Sequence, residues 1–385
     1  MNKRFFSVAL LVCLLVGAFT VQAQEKRWDG ADDLPVSPLA CGAAGAAATP
    51  DASATEAMAP AATAMAYDGG SATNAPDLAG KPITLVDVPK LIGIGYFAAT
   101  TKGEQEAATE LGNVTVTTDA PTQADIDQQI TFIDNYITKG VNGILFAAND
   151  PVAIAPVLHK ALDAGIHVVG YDANSTPDAR EWFVNQAQFN GIGKSMVDSM
   201  EAEIGDSGAF AIVTSTFTTP NQARWIAEMQ AYQEKCFPNM KWLETVEAQE
   251  DNNLSFNQST TLINKYGDQL KGLFGMTSVA TPAAAEAVKQ AGDCGKISVV
   301  GLATPNAMKP YVTSDCVKSV VLWNPIDLGY AAVYVMRAVV DGTLKPGATS
   351  VEAGRLGTLQ IVNGSEVLLG APFIYSKANI NDFDF

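Results

Sequence analysis

Histidine is scarce in this chain, two in 385 residues. Neither His159 nor His167 stands in a cluster of cysteines or carboxylates at metal-ligand spacing, so no metal site and no cofactor is expected. Positive charge is short as well: 24 Lys and Arg against 41 Asp and Glu give a formal net charge of -17. A phosphate backbone or an anionic lipid surface repels such a chain, which argues against nucleic acid as a partner. The sequence also lacks a GxSxG elbow, a phosphate-cradling GxxxxGK[ST] and any histidine beside a plausible nucleophile. Catalysis therefore has little to rest on, and a protein that is not an enzyme is expected.

Long apolar runs are nearly absent. The one near the N-terminus, Phe5 to Phe19, follows Lys3 and Arg4 and precedes Val21-Gln22-Ala23, a small-residue cleavage pattern. It is shorter than the roughly 20 residues of a spanning helix. Residues 1–23 read as a signal peptide, with an uncleaved anchor as the alternative. Export to a periplasm, or to the outer face of the cytoplasmic membrane, is the expectation. In that oxidising setting Cys41, Cys236, Cys294 and Cys316 are available to pair, with three connectivities open. Cys294 with Cys316 is favoured over two buried free thiols. Each precedes an apolar run, Ile297 to Val300 and Ser319 to Leu322, and adjacent parallel strands bring two such entry points together. Leu39-Ala40-Cys41-Gly42 is similar to a lipoprotein cleavage site, although Asp29 to Pro38 do not form an apolar signal core.

What is present is 48% hydrophobic residues, enough at this length for two ordinary domains with cores. Residues 24–80, rich in Ala, Thr, Ser, Pro, Gly and Met from Gly42 on, lack a sustained apolar period and read as a flexible tether. From Ile83 on, short β-branched runs alternate with amphipathic stretches, the pattern of parallel sheets covered by helices. Strands are expected at Ile83 to Val88, Val114 to Thr118, Gly143 to Ala147, His167 to Tyr171 and Trp182 to Asn185. Helices are expected from about Gly103, Gln123 and Pro151. The cycle restarts at Ala209, so two α/β lobes stand in tandem. A helix from Ile326 to Asp341 and a pair of strands between Gly357 and Tyr375 close the chain.

In open parallel sheets, ligands bind beyond the carboxyl ends of strands, where loops and helix N-termini converge. Two lobes facing one another make a cleft there. Lys90, Asp172, Asn221-Gln222 and Trp323-Asn324 all fall at such ends, with Tyr96 and Phe97 close by. Carboxylate and amide groups suit the vicinal hydroxyls of a sugar, and aromatic faces suit its C–H surface. Singly, each residue has a plainer reading: a turn-forming Asp, a solvated Lys, an aromatic in the core. Their shared position points to ligand.

Pro89-Lys90-Leu91-Ile92-Gly93-Ile94-Gly95-Tyr96-Phe97, Gly301 to Tyr311, Leu322-Trp323-Asn324 and the ending Asn379 to Phe385 carry a further signal. From about Lys81 to the C-terminus the chain resembles the type I periplasmic sugar-binding family, closest to its autoinducer-2-binding and rhamnose-binding members. The resemblance implies two Rossmann-like lobes, residues 81–186 plus 324–350 and residues 187–323 plus 351–385. They would be joined by three crossovers near Asn185, Asn324 and Val351. It implies a function as a monomeric solute-binding protein that delivers a sugar to an ABC transporter permease. It also implies that Lys90 and Asp172 hold ligand. Where autoinducer-2 binders have an Asp-Gln pair, this chain has Asn221-Gln222, and Met276 and Ser278 stand where they have Pro and Ala. An amide both donates and accepts, so a pentose, hexose or deoxyhexose such as rhamnose is expected ahead of autoinducer-2. A sugar-responsive transcription regulator lacks support because no DNA-binding headpiece is present, whereas a co-receptor for a chemoreceptor or kinase stays open.

Overall fold

The structure is a computed structural model and describes residues 36–42 and 66–385. The signal peptide reading lies outside the described residues, as does most of the tether. Among the described residues no helix is long and apolar enough to cross a membrane.

The first sheet is built from β1 (Ile83–Val88), β2 (Val114–Thr118), β3 (Gly143–Phe146), β4 (His167–Tyr171) and β5 (Trp182–Asn185). These strands run parallel in the order β5-β4-β3-β1-β2. β3 is buried along its whole length, because helices cover both faces: α1 (Gly95–Leu111) on one side, α2 (Ile126–Lys139) and α3 (Ala155–Asp163) on the other. α2 shows how sequence ends an element: Asp125 caps its N-terminus by accepting from Gln128 N, and Gly140 takes the left-handed conformation beyond its last turn.

The second lobe repeats the scheme with α4 (Phe189–Ile204), β6 (Ala209–Thr214), α5 (Pro220–Cys236), β7 (Lys241–Glu247), α6 (Asn252–Tyr266), β8 (Leu270–Gly275), α7 (Ala280–Ala291), β9 (Ser298–Gly301), α8 (Pro305–Thr313) and β10 (Ser319–Leu322). Its strands order as β7-β6-β8-β9, and a parallel bridge from Leu302 to Val321 carries β10 alongside. The chain then returns to the first lobe as α9 (Pro325–Val340), which packs along α1. A methyl group on Gly103 would overlap the carbonyl of Ile326, and one on Gly329 would overlap the carbonyl of Thr100. Glycine at both positions is what lets the two backbones touch.

The tail departs from expectation. In place of a pair of strands assigned to the second lobe, β11 (Ser350–Glu352), β12 (Thr358–Val362) and β13 (Glu366–Leu368) extend the first sheet, with β13 parallel to β5. Only β14 (Phe373–Ser376) joins the second lobe, antiparallel to β10. The third crossover therefore lies at 369–372 and not near Val351. The reason is that β5 would otherwise be an open edge, and a short hairpin satisfies its backbone groups.

The N-terminal segment also departs from a free tether at its described ends. Gly70 N donates to Arg180 O at 2.8 Å and the Tyr67 hydroxyl to Glu181 O at 2.8 Å, seating residues 66–80 on the first lobe. Residues 36–42 lie on the second, where Lys235 donates to the Pro38 and Leu39 carbonyls. Hydrogen bonds to backbone carbonyls of this kind hold a segment without any apolar period. Cys41 is disulfide-bonded to Cys236, so its thiol is not free for acylation in this state. Cys294 and Cys316 form the other disulfide.

Candidate functional site

Four of the expected residues, Lys90, Tyr96, Phe97 and Asp172, reach the cleft from the first lobe because the chain leaves its strands there. Lys90 follows β1, and its loop is held by Asn149, whose side-chain amide donates to Lys90 O at 2.9 Å. Gly93, with φ of 92°, turns the chain so that α1 starts at Gly95, eight residues before the expected helix. Tyr96 and Phe97 thus sit in the first helical turn. Asp172 directly follows β4 in the left-handed region with φ of 59°, a conformation that Asp tolerates better than most residues and that often marks functional positions.

From the second lobe, Pro220 at the first position of α5 fixes the helix start and places Asn221 and Gln222 at its N-terminus. Met276 and Ser278 follow β8, and Trp323 follows β10. Nine of the ten expected residues line one cavity between the lobes. Asn324 is the exception: its side-chain oxygen accepts from Ile326 N at 3.0 Å and caps α9. The helix start uses the acceptor that the sequence reading assigned to ligand.

The polar groups are joined across the cleft. Lys90 Nζ donates to Asn221 Oδ1 at 3.2 Å and lies 3.4 Å from Asp172 Oδ2. Asn221 Nδ2 donates to Asp172 Oδ2 at 3.3 Å. The Tyr96 hydroxyl donates to Asp172 Oδ1 at 2.8 Å and accepts from Trp323 Nε1 at 2.8 Å. Burial, then the negative charge of Asp172, raises the Tyr96 hydroxyl far above its ordinary range, so it stays a donor. Lys90, Asp172 and Asn221 are each less than 5% exposed, which strengthens every bond among them.

Sequence reasoning did not name six residues on the wall, Ile94, Trp225, Glu250, Thr277, Leu302 and Leu322, of which Trp225 and Glu250 bear most on its chemistry. Trp225, one turn into α5, sets its ring 5.5 Å from that of Trp323, and its indole N–H has no partner among the described residues. A helical position past the expected strand ends gave no cue. Glu250, beyond β7, meets Gln222, whose Nε2 donates to Glu250 Oε1 at 3.2 Å. The acidic run after Ala248 was visible, but not which carboxyl faces inward.

The family model described as "Periplasmic binding protein domain" matches residues 86–344. The chain belongs to this periplasmic binding protein family. Among curated relatives, the D-ribose/D-allose-binding protein of Pseudomonas aeruginosa is 27% identical over 199 residues, 49% of this chain and 60% of that protein. The ABC transporter periplasmic-binding protein YphF of Escherichia coli is 24% identical, over 54% of this chain and 64% of its own length. The chain thus spans under two thirds of the length of these curated relatives. A solute-binding protein of an ABC transporter from Clostridium phytofermentas with bound L-rhamnose superposes with a TM-score of 0.74 at 29% identity, covering 78% of this chain and 98% of that one. LsrB from Clostridium saccharobutylicum in complex with AI-2 gives 0.74 at 23% identity, covering 79% and 100%, a likeness of fold. These neighbours share the two-lobed architecture of the periplasmic binding protein family.

Proposed function

We propose that this protein is the extracytoplasmic solute-binding component of an ABC importer. It takes a monosaccharide, rhamnose-like or a related hexose or pentose, between its lobes and presents the closed form to a membrane permease. The observation that carries the reading is the buried cluster of Lys90, Asp172 and Asn221, which joins the two lobes and is bordered by Tyr96 and Trp323. Carboxylate, ammonium and amide groups match the donors and acceptors of ring hydroxyls, and the indole faces match the apolar side of a pyranose. Ligand bonds to both lobes favour the closed arrangement over an open one, because only the closed form offers both walls at once.

The L-rhamnose complex of the Clostridium phytofermentas protein supports the choice of a deoxyhexose as first candidate. A thermal-shift screen against L-rhamnose, D-ribose, D-allose, D-arabinose, D-fucose and autoinducer-2 tests the reading. A sugar at a hundred times its Kd adds about 2.7 kcal/mol of stability, a shift of several degrees. A response to autoinducer-2 alone replaces the sugar assignment, and no response to any member of the panel refutes it.

A further inference from the structure

Glu250 takes part in none of the cross-lobe bonds between Lys90, Asp172 and Asn221, yet it lines the same cavity. Its backbone, like that of Gln249 before it, lies in the left-handed region, with φ of 53° and 52°. Two consecutive non-glycine residues in that region cost conformational energy, and such strain gathers where a side chain must be aimed. Here it turns a carboxyl inward from the loop between β7 and α6.

The neighbouring amide shows what that carboxyl is offered. Gln222 Oε1 accepts from the Thr214 hydroxyl at 2.6 Å and from Ser215 N at 2.8 Å, which fixes the orientation of the amide group. Gln222 Nε2 must therefore face Glu250 as a donor. The Thr277 hydroxyl is a second neighbour that favours the charged form, and Lys90 a third. Against them, burial raises the carboxyl above its ordinary range, and the charge of Asp172 adds to the rise. A carboxylate has roughly four lone-pair sites, and Gln222 and Thr277 use two. Acceptor capacity is left over at the wall of the cavity.

Charge then decides what the cavity admits. Lys90 is the one cation among the described residues that line it, and Asp172 already sits 3.4 Å from that ammonium. Glu250 is the surplus negative group. We propose that Glu250 contacts the ligand directly and sets its charge class, so that the cavity takes uncharged sugars through a hydroxyl donated to Glu250 and refuses sugars that carry a carboxylate. The inference rests on the sugar-binding reading above. An incoming carboxylate would meet two like charges against one ammonium that is already paired.

The test is calorimetric titration of wild type, Glu250→Gln and Glu250→Asp with L-rhamnose, D-ribose and D-allose, and with D-galacturonate and D-glucuronate. Wild type binds at least one uncharged sugar and neither uronate. Glu250→Gln, nearly isosteric, binds that sugar about tenfold more weakly and gains measurable uronate binding. Glu250→Asp keeps the charge and so keeps the refusal of uronates, which holds the test open should the Gln variant fail to fold. A wild type that binds a uronate overturns the inference. So does a folded Glu250→Gln that matches wild type within twofold on every compound, and in both cases the sugar-binding reading stands. A wild type that binds no uncharged sugar overturns the parent reading and the inference together.

Discussion

The two walls of the cavity are built differently. On the first-lobe wall, Tyr96 and Asp172 bond to one another, and Lys90 lies beside the same carboxylate. On the second-lobe wall, Asn221 and Gln222 take their orientation from their own backbone: Asn221 Oδ1 accepts from Gln222 N at 2.9 Å, and Gln222 Oε1 from Ser215 N. The first wall is a charged pair, Lys90 and Asp172, with the Tyr96 hydroxyl bonded to the same carboxylate; the second carries a pair of amides whose acceptors are already occupied. An asparagine that looks from sequence like a donor and an acceptor thus has mainly donors left to offer. On the proposed reading, acceptors for ligand hydroxyls concentrate on the carboxylates Asp172 and Glu250.

Removing one group from each wall separates the two. Asp172→Ala deletes charge-assisted hydrogen bonds and is expected to weaken sugar binding by about ten- to a hundredfold, from roughly 1.5 to 3 kcal/mol. Asn221→Ala deletes neutral donors and is expected to cost about three- to tenfold. Equal losses in calorimetry would dissolve the distinction between charged pair and amide pair.

The support beneath the first wall is open to attack as well. Gly103→Ala puts a methyl into the carbonyl of Ile326 and is expected to lower stability by about 1 to 3 kcal/mol through overpacking, read as a drop in Tm. An unchanged Tm would show that α1 and α9 separate at little cost.

A smaller effect concerns pH. Asp87 on β1 and Glu104 on α1 lie against each other, both fully buried, with Tyr171 and Thr118 beside them. Burial pushes the Asp87 carboxyl up to about 7, and burial together with Asp87 raises that of Glu104. Tyr171 and Thr118 hydrogen-bond to Asp87 and pull its carboxyl down, but burial outweighs them, and a proton held between the two carboxyls relieves their mutual repulsion. Between the ordinary carboxylate range and about 7 the folded state binds more protons than the unfolded one, so stability falls as pH rises through that interval. Asp87→Asn is expected to flatten the dependence of Tm on pH between 5 and 8. The least effect is expected at the periphery: Cys41→Ser frees residues 36–42 to proteolysis but leaves sugar affinity within about twofold, because the disulfide lies outside the cavity.

Much of this architecture was legible in the sequence. Four strands of the first lobe, β1, β2, β4 and β5, fall at the residues expected, because apolar β-branched runs bounded by turn residues leave few alternatives. α4, α7 and α8 were missed, since Gly191 and Gly193 in the first, a stretch of alanines in the second and Pro310 inside the third blur the helical signal. Lys90 and Asp172 were found because strand ends are local features. Trp225 and Glu250 were not, because facing a cavity across the cleft is a property of how two lobes meet. The tail went to the wrong lobe for the same reason: three-residue strands such as β11 and β13 carry no partner preference until an edge is there to receive them.

Trp323 lies at the crossing from β10 of the second lobe to α9 of the first, with its indole N–H on the Tyr96 hydroxyl and its ring beside Trp225. If the lobes part, as the proposed function requires, one of these two contacts must break, because Tyr96 is on the first lobe and Trp225, 5.5 Å away ring to ring, on the second. On that reading the tryptophans at the seam are a built-in optical gauge, one whose emission would follow the opening and closing of the cleft without any added dye.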